Sequence, residues 1–195
     1  ATDVVIADFL TAHGLPMAPD EVHALFVGGT IAGGGEEAMR RGANLPDGWL
    51  ETLYGLIFDR LAAGVPVIDG VFPLIDQLDK AGVAKAIASN GPVRKMEISL
   101  GPSGLWTRFA PHIYSGHDHG PKPAPDMILR IMADDGVPAK RAVMIDDTAT
   151  GCRAAQAAGI RCFGFAPDGG GNRFEGTGAK VITSLDAVAA ALGLS

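Results

Sequence analysis

A chain of 195 residues, 47% hydrophobic and 19% charged, can bury one sizeable core or a core with a small accessory domain, and is too apolar to be disordered. Its formal net charge of −6 comes with no basic run, which argues against a nucleic-acid or anionic-membrane surface, because such surfaces need clustered Lys and Arg. No apolar stretch approaches a membrane span and no basic-then-apolar signal opens the chain, so a cytoplasmic protein is expected, with Cys152 and Cys162 as reduced core thiols.

In chain order, Val4 to Leu10 reads equally as a strand or a helix, and the chain turns at Gly14-Leu15-Pro16. Asp20 is placed to cap a helix in which Val22, Leu25 and Phe26 share one face. Gly33-Gly34-Gly35 reads as a break. Leu50, Leu53, Tyr54, Ile57 and Leu61 then form the strongest helical stripe in the chain. After Gly64-Val65-Pro66 the texture changes. Val71, Leu74, Ile75 and Leu78 mark a helix ending at Gly82, and Val83 to Ala88 is a short apolar run closed by Ser89-Asn90. Ile113-Tyr114 is a second strand candidate, and Ile128, Ile131 and Met132 mark another helix. The run Ala142 to Ile145 precedes a helix over Cys152 to Ala158, the strand Arg161 to Phe165, and a last strand–helix pair ending near Leu192. Apolar runs alternating with amphipathic helices predict an α/β fold, a Rossmann-like doubly wound parallel sheet over residues 66–195, preceded by a small helical domain over residues 1–65.

In such a core, ligands bind at the carboxyl ends of the strands. Ser89-Asn90 ends one apolar run and Asp146-Asp147-Thr148 another, while Lys122 stands in a proline-rich loop before a helix. Adjacent carboxylates suit Mg2+, a hard ion that takes oxygen ligands and keeps waters. A Ser hydroxyl, an Asn and backbone N–H groups suit a phosphate, and a fixed Lys neutralises a transferring phosphoryl group. Together they describe phosphoryl-transfer chemistry.

These three segments resemble the second, third and fourth motifs of the haloacid dehalogenase superfamily: Ala88-Ser89-Asn90, Lys122-Pro123-Ala124-Pro125-Asp126 and Ile145-Asp146-Asp147-Thr148-Ala149-Thr150-Gly151. The branch is the one with β-phosphoglucomutase and phosphoglycolate-phosphatase-like enzymes. The resemblance implies that Ser89 and Asn90 bind the transferring phosphoryl group, that Lys122 neutralises charge, and that Asp146 and Asp147 hold Mg2+. It also implies that residues 1–65 form a mobile cap, that Gly28-Gly29-Thr30 is its substrate-facing loop, and that the protein is a monomer or weak homo-oligomer. The attacking group in this family is the first Asp of an Asp-x-Asp-Gly tetrad, which forms an aspartyl-phosphate. No such tetrad stands before residue 64. Asp8 has Leu10 where the second acid belongs, and Ala7 to His13 leads into Gly14 as the family's first cap helix does. The expectation is therefore that the motif is encoded upstream of Ala1 and that the 195-residue polypeptide alone is inactive. A 2-haloacid dehalogenase is the alternative reaction, disfavoured by the paired acids, and a truncated non-catalytic chain is the third reading. His117 and His119 are read as structural rather than metal-binding, and Gly169-Gly170-Gly171 lacks dinucleotide-loop spacing.

Overall fold

The computed structural model describes residues 2–27 and 29–194. The chain divides into two compact units, one built from the residues up to Pro66 with Gly91–Arg108, the other from Val67–Asn90 with the residues from Phe109 on.

The first unit is helical. Its helices are α1 (Thr2–Ala12), α2 (Pro19–Phe26), α3 (Ile31–Arg40), α4 (Trp49–Ala62), α6 (Val93–Leu100) and most of α7 (Leu105–Phe109). The ambiguous opening segment is a helix: Ile6, Ala7, Phe9 and Leu10 are buried while Val4 and Asp8 face solvent, which is the spacing of a helical stripe. Gly14, at φ +86°, closes α1 with two backbone bonds, Gly14 N to Thr11 O and Leu15 N to Leu10 O. Asp20 is not a cap. It sits in the first turn of α2 behind Pro19, and the Glu21 carboxylate accepts from Ala18 N instead.

Nor do the three glycines break the chain. They lie inside α3, whose N-terminus is capped by Thr30 Oγ1 accepting from Gly33 N at 3.1 Å. A Cβ at Gly34 would lie 2.2 Å from the Phe26 ring, and one at Gly35 would lie 2.0 Å from the Trp49 indole. Close packing of two aromatics thus requires the glycines and offsets their poor helix propensity. Residues 91–108, assigned from sequence to the sheet domain, belong with the helices because α6 packs on α4: Ile98 joins the cluster of Leu53, Ile57 and Leu61, and Arg94 stacks over Phe58 at 5.5 Å.

The second unit is α/β. It holds β1 (Ile87–Ser89), β2 (Ile113–Ser115), β3 (Val143–Asp146), β4 (Arg161–Phe165) and β5 (Lys180–Ile182), with α5 (Val71–Lys80), α8 (Gly116–His119), α9 (Asp126–Asp134), α10 (Ala149–Ala157) and α11 (Asp186–Leu192). All strand pairs are parallel. β4 lies between β3 and β5 and is buried on both faces. Phe163 and Phe165 pack with Leu74 of α5 and Val188 of α11, while Cys162 on the other face packs with Cys152 and Ala155 of α10. Helices therefore cover both faces, as doubly wound sheets require.

The resemblance implies a parallel sheet that lacks the strand of the Asp-x-Asp motif, and the strands stand as two parallel sheets, β1-β2 and β3-β4-β5. Among the described residues no strand pairs with the second edge of β1 or of β3. Ile145 in β3 is 37% exposed, against the buried run of β4. Among the described residues no helix is long and apolar enough to cross a membrane.

Candidate active site

Ser89 ends β1 and Asp146 ends β3, so the hydroxyl and the acid both stand at carboxyl ends of parallel strands. What joins the two sheets there is Lys122, from the loop between α8 and α9. Its Nζ donates to the Ala88 carbonyl of β1 at 3.1 Å and to Asp146 Oδ2 at 2.7 Å. The Lys122 and Asp146 side chains are only 11% and 8% exposed, so this is a largely desolvated ion pair.

Asn90 fixes the lysine from behind. Its Oδ1 accepts from Lys122 N at 2.7 Å, and its Nδ2 donates to Lys122 O at 3.0 Å. The side-chain amide that the sequence reading assigned to a phosphate thus bonds the Lys122 main chain through both its oxygen and its nitrogen. Gly116 allows the approach: a Cβ there would lie 2.9 Å from Pro121 Cα and 3.1 Å from Asn90 Oδ1.

Asp146 is held on both oxygens. While Oδ2 takes the lysine, Oδ1 accepts from Thr148 N at 2.8 Å and from Thr148 Oγ1 at 2.6 Å. Thr148 in turn caps α10, accepting from Gly151 N at 3.0 Å. A Cβ on Gly151 would lie 2.0 Å from the Asp146 carboxyl, so glycine is what lets the acid lie against the helix start. Asp147 is the exposed member of the pair. Its main-chain carbonyl accepts from Arg173 Nε at 3.2 Å.

The structure thus gathers Ser89, Asn90, Lys122, Asp146 and Asp147 in one unit. Gly28 lies outside the described residues, and Thr30 is the cap of α3 in the helical unit. Asp8 is an exposed position of α1 rather than the end of a strand. His119 packs its ring on Tyr114 at 5.5 Å, and His117 N donates to Ser115 Oγ at the start of α8. Sequence reasoning placed Thr148 in the polar cluster without reading its role, and it missed Arg173. An Asp-x-Thr just before a helix is a capping signal that could have found the first. The bond of the second to the acid turn spans 26 residues and left no trace in the local pattern.

Among the described residues no three His, Cys, Asp or Glu side chains form a metal cluster. Two adjacent carboxylates still fit Mg2+, which is commonly held by one or two acids with waters and substrate phosphate oxygens making up the shell. Asp147, exposed, and Asp146, already braced by three donors, are the groups that would face it.

The comparisons with known proteins agree with this geometry. The family model for haloacid dehalogenase-like hydrolases matches residues 35–165. The chain is 34% identical over 102 residues to protein CbbY (plasmid) of Cupriavidus necator, covering 51% of this chain and 40% of that protein. It is 32% identical over 102 residues to a phosphoglycolate phosphatase of Pseudomonas fluorescens, covering 51% of this chain and 37% of that one. The matched segment therefore spans less than half the length of either curated relative. Among solved structures, a conserved haloacid dehalogenase-like protein of unknown function from Agrobacterium tumefaciens superposes with a TM-score of 0.81 at 31% identity, covering 98% of this chain and 91% of that one. A hydrolase of the same family from Deinococcus radiodurans, with bound phosphate and sodium, gives 0.78 at 28% identity, covering 98% and 87%. With its motif-bearing strand ends in one α/β unit and more than half its length matched, the chain belongs to the haloacid dehalogenase-like hydrolases.

Proposed function

We propose that this chain carries the phosphoryl-binding and metal-binding half of a Mg2+-dependent phosphatase acting on a small phosphorylated metabolite. The observation that carries the reading is the convergence of Ser89, Lys122 and the Asp146-Asp147 turn at the carboxyl ends of β1 and β3, joined through the Lys122 ammonium. The Ser89 hydroxyl and the ammonium are donors to the transferring phosphoryl oxygens. Asn90 acts through the lysine main chain, and Lys122 offsets the charge that would otherwise keep a phosphate away from the acid turn. Asp146 and Asp147 would hold Mg2+, which would supply charge stabilisation for phosphoryl transfer. Support also comes from the relatives, one a phosphoglycolate phosphatase and one a hydrolase with bound phosphate.

The attacking carboxylate remains to be supplied. An extended segment laid between β1 and β3 would bring an acid beside Lys122, at the place where the family carries its Asp-x-Asp strand. On this reading the helical unit is the mobile cap. The test is phosphate release from small phosphomonoesters by a chain that carries an Asp-x-Asp-Gly segment ahead of Ala1. We expect Mg2+-dependent turnover that ceases with chelation and in Asp147→Asn, and none from the 195-residue polypeptide alone. Chloride release from 2-haloacids in place of phosphate release would replace this reading with the dehalogenase. Phosphate release by the isolated polypeptide would make Asp8 the first residue to mutate.

A further inference from the structure

The guanidinium of Arg173 lies in the 3-10 turn Gly171–Phe174 and makes a set of contacts that the phosphatase reading does not use. Nη1 donates to both Asp168 oxygens, at 3.0 and 2.9 Å, and to the Gly170 carbonyl at 3.1 Å. Nη2 donates to the Phe165 carbonyl at 3.1 Å, and Nε to the Asp147 carbonyl at 3.2 Å. One planar group therefore ties together the end of β4, the loop after it and the turn after β3. Lysine cannot reproduce this, because an ammonium lacks the fixed fork that reaches several carbonyls in different directions.

The consequence concerns Asp147. Its neighbour Asp146 is immobilised through its own side chain, by Lys122 and Thr148. Asp147 is exposed, so the direction in which its carboxylate leaves the strand end depends on the peptide that carries it. Arg173 holds that peptide by its oxygen. We propose that Arg173 is a positioning residue for the acid turn: held by Asp168 and the β4 end, it fixes the Asp147 main chain and so aims the Asp147 carboxylate. The functional part rests on the reading of Asp147 as a metal-holding acid, whereas the geometric part does not.

Two readouts on the 195-residue chain separate these. The first is binding of Mn2+ alone, followed by the electron paramagnetic resonance of the free ion. Wild type should bind and Asp147→Asn should not. Arg173→Gln and Arg173→Lys should both weaken binding by about tenfold, the lower end of what outer-shell partners of metal ligands contribute. A wild-type affinity in Arg173→Gln would overturn the proposal and leave the phosphatase reading standing. A wild-type affinity in Arg173→Lys alone would show that charge suffices and overturn the fork. The second readout is amide hydrogen exchange. Faster exchange confined to Thr148–Cys152 and to the Asp168–Phe174 loop in Arg173→Gln supports positioning. Unchanged exchange, or acceleration spread over the whole α/β unit, overturns it. Should wild type and Asp147→Asn bind Mn2+ alike, the metal reading has failed, and the exchange result alone decides the role of Arg173.

Discussion

Lys122 and Asp146 hold each other in a pocket that leaves each side chain about a tenth exposed, so removing one strands the charge of the other. Lys122→Met should destabilise the protein by about 3–5 kcal/mol, the usual consequence of breaking a buried pair. Asp147→Asn, at an exposed position, should change stability by no more than about 0.5 kcal/mol while removing the metal-dependent activity. Urea midpoints of the two variants check this contrast. Asp168 adds a pH dependence. Its carboxyl is held below the ordinary range first by the Arg173 hydrogen bond and next by the Gly170 amide. A folded value below the unfolded one contributes stability above the unfolded pKa, about 3.9, and loses it as pH falls through the depressed value. The stability difference between wild type and Asp168→Asn should therefore be flat from pH 8 to about pH 5, and vanish only in strong acid. Ser89 and Asp146 were legible in the sequence because each ends an apolar run, and Lys122 because it stands in a proline-rich loop before a helix. The aim of the Asn90 amide was not, since it is set by a main chain 32 residues away.

Among the elements, α1 and α3 show where local pattern stops deciding. Val4 to Leu10 satisfies both periods, and what selects the helix is burial of Ile6, Ala7, Phe9 and Leu10 against α2 and α4. Gly33-Gly34-Gly35 has the composition of a break, yet two ring contacts that no local rule encodes require those glycines within a helix. Gly35→Ala should accordingly cost about 1–3 kcal/mol, because the new methyl meets the Trp49 ring. Gly55→Ala, in α4 with nothing within 4 Å of the added carbon, should stabilise by about 0.5–1 kcal/mol through helix propensity alone. Thermal unfolding of both variants reads opposite signs. Equal effects would mean that the close approach of Trp49 does not govern α3. The strands β3 and β4 and the helix α10 were legible because apolar runs alternating with polar residues and an alanine-rich segment are local signals. The span of β1 was not: only Ile87–Ser89 pairs with β2, and the apolar residues before it do not extend the strand.

For the molecule as a whole, the fold class followed from the alternation of apolar runs and helices. The grouping of residues 91–108 with the helical unit did not, because it depends on which surface α6 finds to bury Met96 and Ile98. The division into two sheets fits a core without the Asp-x-Asp strand; what the local pattern did not show is that a lysine, rather than a ladder of backbone bonds, bridges their carboxyl edge. That bridge is also where the proposed function stands or falls, since it brings Ser89, Lys122 and the Asp146-Asp147 turn together. The most direct test is a titration of the 195-residue chain with inorganic phosphate in the presence of Mg2+, followed by amide chemical shifts. The account predicts saturable shifts at Ser89, Asn90, Lys122 and the turn Asp146–Thr148, all lost in Lys122→Met variants that remain folded. Shifts confined to other residues, or the same shifts persisting without the lysine, would contradict it.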